Sequence, residues 1–146
     1  MKRFIMGITI IGVMLATITG CATNKSYTYT VETGDKIKIT LNTTDGYDIT
    51  SDLPFTISKD GNDLSQGQFI QGSYYDQYVE AANTQGTIID QGSNDTIEYV
   101  FYSYNDQEYN YIIKIKNSNT ALLLGNPNSQ EEAETCFKLL SFSLEN

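Results

Sequence analysis

The side chains able to do chemistry in this chain of 146 residues fall into a few sets, and the first is defined by an omission. Histidine does not occur, which removes the Ser-His-Asp and Cys-His arrangements of nucleophilic catalysis and the commonest transition-metal ligand. There is no glycine-rich phosphate loop and no Cys-x-x-Cys pair. A hydrolase would rest on paired carboxylates or a Ser-Lys arrangement, and no spacing singles one out. Side-chain oxygen is concentrated in Asp60-Gly61-Asn62-Asp63 and again at Asp90, Asn94 and Asp95. Hard cations favour such oxygens, but Gly61 comes too early for a calcium loop of the EF-hand spacing and no glutamate closes it. Turn chemistry accounts for both clusters. No catalytic residue, metal ligand or cofactor is expected.

The second set is aromatic. Tyrosine occurs 11 times and tryptophan not at all, with Tyr74, Tyr75 and Tyr78 in one group and Tyr99, Tyr102, Tyr104, Tyr109 and Tyr111 in another. Asn105, Asp106, Gln107 and Asn110 are interleaved with the second group. Rings can stack on sugar faces while amides bond hydroxyls, and Tyr is also a favoured anchor in protein interfaces. The competing reading is that Tyr is a good strand residue, half buried with its hydroxyl wet. A binding surface, if one exists, is expected at Tyr102, Tyr104, Asn105 and Tyr109, centred on the turn between two strands, with Tyr74 and Tyr75 beside it.

Two cysteines complete the inventory. Cys136 lies in Ala133-Glu134-Thr135-Cys136-Phe137-Lys138-Leu139-Leu140, where Ala133, Cys136, Phe137 and Leu140 share one helical face, so it reads as a small buried hydrophobe. Cys21 has a different setting. Met1-Lys2-Arg3 forms a positive end, and Phe4 to Ile18 carries no charge. That is the n-region and h-region of a targeting segment, too short to span a bilayer, which takes about 20 apolar residues.

Ile18-Thr19-Gly20-Cys21 resembles the lipobox of bacterial lipoproteins. The resemblance implies an aliphatic position at Ile18, small residues at Thr19 and Gly20, cleavage between Gly20 and Cys21, and a diacylglyceryl group on the Cys21 sulfur. Two acyl chains hold a protein firmly, since each buried CH₂ contributes about 0.8 kcal/mol and one chain alone is marginal. The expected organisation is a signal peptide over 1–20, a lipidated N-terminus and tether over 21–26, and one globular domain over 27–146. The location implied is the extracytoplasmic face of a bacterial cell membrane, and the Thr-, Asn- and Tyr-rich composition inclines to a Gram-positive host. With Cys21 acylated, Cys136 has no partner for a disulfide.

Loss of Lys2 and Arg3 with the leader would take the net charge from −9 to −11, since both charges removed are positive. Such a surface repels phosphate backbones, so nucleic acid is not an expected partner.

The elements that must position these residues follow from period-two alternation. Tyr27, Tyr29 and Val31 alternate with threonines, and Ile37, Ile39 and Leu41 with Lys36, Lys38 and Thr40, giving a hairpin around Thr33-Gly34-Asp35. Short strands are expected at Tyr47–Thr50 and Pro54–Ser58, with a loop over 59–63. A short helix carries Tyr75, Tyr78, Val79 and Ala82. The densest β signal is Thr96–Tyr104 with Glu108–Lys116; the first, apolar on both faces, is expected to be central. Thr120–Leu124 adds a strand. Ser129 and Glu132 then form a capping box for a last helix ending near Leu140, and Ser141–Leu144 alternates again.

The fold class expected is α+β: a central antiparallel sheet packed by a short helix and a C-terminal amphipathic helix. This order, with the Phe137-Lys138-Leu139-Leu140-Ser141-Phe142 ending, resembles the PsbP/Mog1-like sandwich of small secreted lipoproteins, which implies an adaptor or assembly role and brings no catalytic motif. The functional expectation is a non-catalytic binding or adaptor lipoprotein held to the membrane through Cys21, with a protein or glycan partner. The alternative is a cell-envelope enzyme using carboxylates, with Ca²⁺.

Overall fold

The computed structural model describes the backbone of residues 13–17 and residues 23–146 in full. Gly20 and Cys21, the expected cleavage and lipidation site, lie outside the described residues. Eleven strands and two helices are described: β1 (Val13–Thr17), β2 (Asn24–Thr30), β3 (Lys36–Asn42), β4 (Tyr47–Ile49), β5 (Phe55–Lys59), β6 (Asn62–Gln71), α1 (Tyr75–Gln85), β7 (Thr87–Ser93), β8 (Ile97–Tyr104), β9 (Glu108–Ile115), β10 (Thr120–Asn126), α2 (Gln130–Leu139) and β11 (Leu140–Leu144). β2 takes in Asn24, Lys25 and Ser26, residues read from sequence as tether.

The strands form two antiparallel sheets, ordered β1-β2-β3-β11 and β4-β5-β6-β10-β9-β8-β7. The expected α+β architecture, and the PsbP/Mog1-like arrangement with it, is therefore corrected to a β-rich sandwich. The reason lies in where the first hairpin goes. β2 and β3 pair in the expected register, Tyr27 opposite Ile39 and Tyr29 opposite Ile37, but they do not join the large sheet. They recruit β11, with Phe142 opposite Ile39, and lay Tyr29, Ile37, Ile39 and Leu41, all fully buried, against the large sheet's inner face. A second sheet covers that face, so no helical layer is needed there. α2 has ten residues and adds Ala133 and Cys136, with Phe137 and Leu139 partly buried beside them, to the same core.

Three local readings change with it. β8 is next to the edge, and β10 is central; β8 is apolar on both faces because α1 covers its outer side. The 59–63 segment is a tight turn rather than a loop. Asp60 and Gly61 both take positive φ (49° and 84°), and Lys59 pairs directly with Asn62. This launches β6, the longest strand at ten residues. At α2 the Ser129 hydroxyl accepts from the Glu132 N–H (3.2 Å) as a capping box requires. The Ser129 N–H instead donates to Asn126 Oδ1, which also accepts from the Asn128 N–H. A buried asparagine at the end of β10 thus does the work expected of Glu132.

At the opposite end of the sandwich, Asp35 ties the hairpin to the large sheet. Its Oδ2 accepts from the Thr120 hydroxyl (2.7 Å), the Asn119 N–H (2.8 Å) and the Thr33 hydroxyl (3.1 Å), and Oδ1 from the Asn146 amide (3.3 Å). Burial alone would raise this carboxyl, but the four donors outweigh it and hold it below the usual carboxylate range.

Candidate functional site

Strand alternation gives the large sheet an outer face as well as the buried inner one. α1 lies on part of that outer face, packing Tyr75, Tyr78 and Ala82 against Tyr102, Ile112, Ala121 and Ile70. The rest is uncovered among the described residues, and there the surface dips into a trough of about 540 Å³. That falls within the range of ligand clefts, roughly 300–1,000 Å³.

The floor is set by register. Gln66 on β6 stands opposite Gly125 on β10, Gly125 opposite Asn110 on β9, and Asn110 opposite Tyr102 on β8. These four form a row running across the strands, and Thr56 on β5, opposite Gln66, extends it. The next row pairs Gln68, Leu123 and Ile112. Gln66 and Gln68 are exposed, while Ser65, Gly67 and Phe69 between and beside them are buried. Gly125 makes a notch in the row: a Cβ there would come within 2.9 Å of Asn110 Oδ1. The Asn110 side chain lies beside the Tyr102 hydroxyl and acts to lower its pKa, but burial and the nearby Glu108 charge outweigh it and push that pKa up to about 12, so the hydroxyl is neutral at physiological pH.

Tyr78 of α1 walls one side and Pro54, Asp63 and Leu64 the other. Asp63 stands on β6 and Glu108 on β9, with β10 between them. Below one end, buried Asn126 donates to Ser65 Oγ (3.0 Å) and Glu132 Oε1 (3.2 Å). Among the described residues lining the trough there is no Lys or Arg. Among the described residues, no group of three or more Cys, Asp or Glu is arranged to hold a metal ion.

Of the aromatic residues singled out from sequence, Tyr78, Tyr102 and Tyr111 line the trough. Tyr104 shares its outer face, packed beside Tyr102, whereas Tyr109 turns inward and donates its hydroxyl to the Asp106 carbonyl (3.1 Å). Asn105 is exposed at φ 53° in the turn, where with Asp106 (φ 51°) it supplies the backbone twist of the hairpin. Tyr74 is half-buried in a short 3-10 turn, and Tyr75 is buried, with Lys114 Nζ 5.8 Å from its ring centroid. Gln66, Gln68, Leu123 and Gly125 were not singled out. The signal for the two glutamines was Ser65-Gln66-Gly67-Gln68-Phe69, a period-two run hidden by reading the preceding turn as a loop, whereas nothing in the strand over 120–126 marked Leu123 or Gly125.

Cys136 is buried and unpaired among the described residues, and burial raises its thiol pKa. Among the described residues no helix is long and apolar enough to cross a membrane. No family model, curated protein or solved structure matches this chain.

Proposed function

We propose that the chain is a lipoprotein of the extracytoplasmic membrane face, anchored through diacylated Cys21, and that its domain is a non-catalytic binding module. The observation that carries the binding role is the trough on the outer face of the large sheet. A sandwich needs only its inner faces to fold, yet this outer face is furnished with amides, a tyrosine hydroxyl and a glycine notch. The positive Met1-Lys2-Arg3 end, the apolar run of Phe4–Ile18 and the Ile18-Thr19-Gly20-Cys21 sequence support the anchor.

Each half has its own test. Cys21→Ser should abolish acyl labelling and release the protein from the membrane fraction; retention by an unlabelled, uncleaved wild type would sink the anchor. For the module, a benzophenone side chain introduced at Gln68 in the intact protein should give a light-dependent adduct in cells. The same group at Lys38, on the outer side of the other sheet, should not. Equal labelling at both positions, or none at Gln68, removes the trough as a binding site. Turnover of an envelope polymer by the purified protein, abolished by Glu108→Gln or Asp63→Asn, would replace the module with the carboxylate enzyme.

A further inference from the structure

Resting on the reading of the trough as a binding site, we infer that its ligand is a linear, uncharged glycan chain lying across the strands along the row Thr56, Gln66, Gly125, Asn110 and Tyr102.

The chemistry of the row selects the class. An amide offers both an acceptor oxygen and N–H donors, and a sugar hydroxyl is both donor and acceptor, so Gln66, Gln68 and Asn110 can each bond a hydroxyl either way round. The Tyr102 hydroxyl and the Glu108 and Asp63 carboxylates add further partners. Leu123 supplies an apolar patch in the next row for the C–H face of a ring. An anionic ligand finds no cationic side chain among the described lining residues and meets two carboxylates instead.

Geometry excludes an extended peptide as the better occupant. A strand gains affinity by bonding a bare sheet edge, but the floor here is a sheet face. The N–H and C=O groups of β6, β10 and β9 are already committed to one another. A peptide backbone lying on it would keep few of its own partners, whereas a glycan needs only side chains. Gln66 and Asn110 stand on the strands either side of β10, their backbones about 10 Å apart at a strand spacing of about 4.8 Å, and the Asn110 amide leans over Gly125. One pyranose ring can lie across this span against the two amides, with its neighbours continuing toward Thr56 on one side and Tyr102 on the other.

The test uses the intact acylated protein in zwitterionic detergent micelles, titrated calorimetrically with an N-acetylglucosamine hexamer, maltohexaose and a galacturonic acid hexamer. At least one neutral hexamer should bind and the acidic one should not. Gly125→Val, which fills the notch and pushes aside the Asn110 amide that would lie 2.9 Å from the new Cβ, should weaken binding at least tenfold while the protein still unfolds cooperatively. Gln66→Ala and Asn110→Ala should each weaken it several-fold, and they keep the idea testable if the valine variant misfolds. Failure of both neutral hexamers, equal binding of the acidic one, or indifference to all three substitutions overturns the glycan. The benzophenone adduct at Gln68 separates the two levels. An adduct that proteases degrade and glycosidases leave intact means a peptide ligand in the same trough, so the glycan falls and the binding module stands.

Discussion

On β8 and β9 the inner and outer faces of the large sheet can be compared one residue apart. Inward, Phe101 and Tyr111 stack at 4.1 Å between ring centroids with planes 6° apart, and Phe137 of α2 stacks on the other side of Tyr111 at 4.0 Å and 9°. Outward, Tyr102 and Asn110 stand opposite each other across the same strand pair, side by side and open to the trough. The inner face is dry, aromatic and matched to a second sheet. The outer is closed by α1 over part of its width, and over the rest it is furnished but uncovered by any other described residue. Stability thus lies on one side of these strands and the proposed binding surface on the other, and substitutions can test how complete the separation is.

The largest effect is expected inside. Tyr111→Ala removes the middle ring of a three-ring stack in a fully formed core and should cost about 3–5 kcal/mol in urea unfolding. A loss under about 1 kcal/mol would mean the inner face does not dominate stability.

Asp35→Ala comes next. It leaves the Thr120 hydroxyl and the Asn119 N–H without their acceptor, at a cost of about 1–3 kcal/mol. The pH dependence has a definite sign. The folded carboxyl titrates below its unfolded value of about 3.9, so its contribution is complete above that value and is lost as pH falls through the lower folded pKa. Asp35→Asn should therefore unfold with a flatter acid limb below about pH 4, measured by urea midpoints against pH. Parallel limbs would show the carboxylate contributes nothing as an ion.

Tyr29 gives a smaller effect of opposite sign. Its ring is fully buried edge-on to Phe69, 5.3 Å between centroids, yet its hydroxyl has no partner among the described residues. Removing an unsatisfied buried hydroxyl while keeping the ring should be neutral or stabilising by up to about 1 kcal/mol. A clear fall in melting temperature for Tyr29→Phe would reveal a bond to the hydroxyl.

The inner face was the more legible of the two in sequence. Alternation placed Tyr27, Tyr29, Ile37, Ile39 and Leu41 correctly, because one buried face imposes a strict period of two. What alternation could not say is which sheet a hairpin joins, since Ile39 buries equally well in a central sheet or in a second one packed against it. That choice depends on β11, far away in sequence, pairing with β3, and it turned an expected α+β fold into a sandwich. The trough was harder still. Its row gathers β5, β6, β10, β9 and β8, which are not consecutive in the chain, and its notch is a glycine whose meaning comes only from Asn110 beside it. The tyrosines drew attention by number, but most are spent on packing.

The smallest effect bears most directly on the division between faces. Gln66→Ala and Gln68→Ala on the open half of the outer face should each change unfolding free energy by no more than about 0.5 kcal/mol, as exposed positions away from caps and cores do. Alanine is a poorer strand former than β-branched residues, so any shift should be slightly destabilising. If instead the pair lost 2 kcal/mol or more, the glutamines would be bracing the sheet and the open face would be structural. Near-neutral stability combined with lost ligand binding is the outcome that a face kept for recognition requires. The folded state then gains almost nothing from those amides, and their place beside the Gly125 notch follows from what the trough holds.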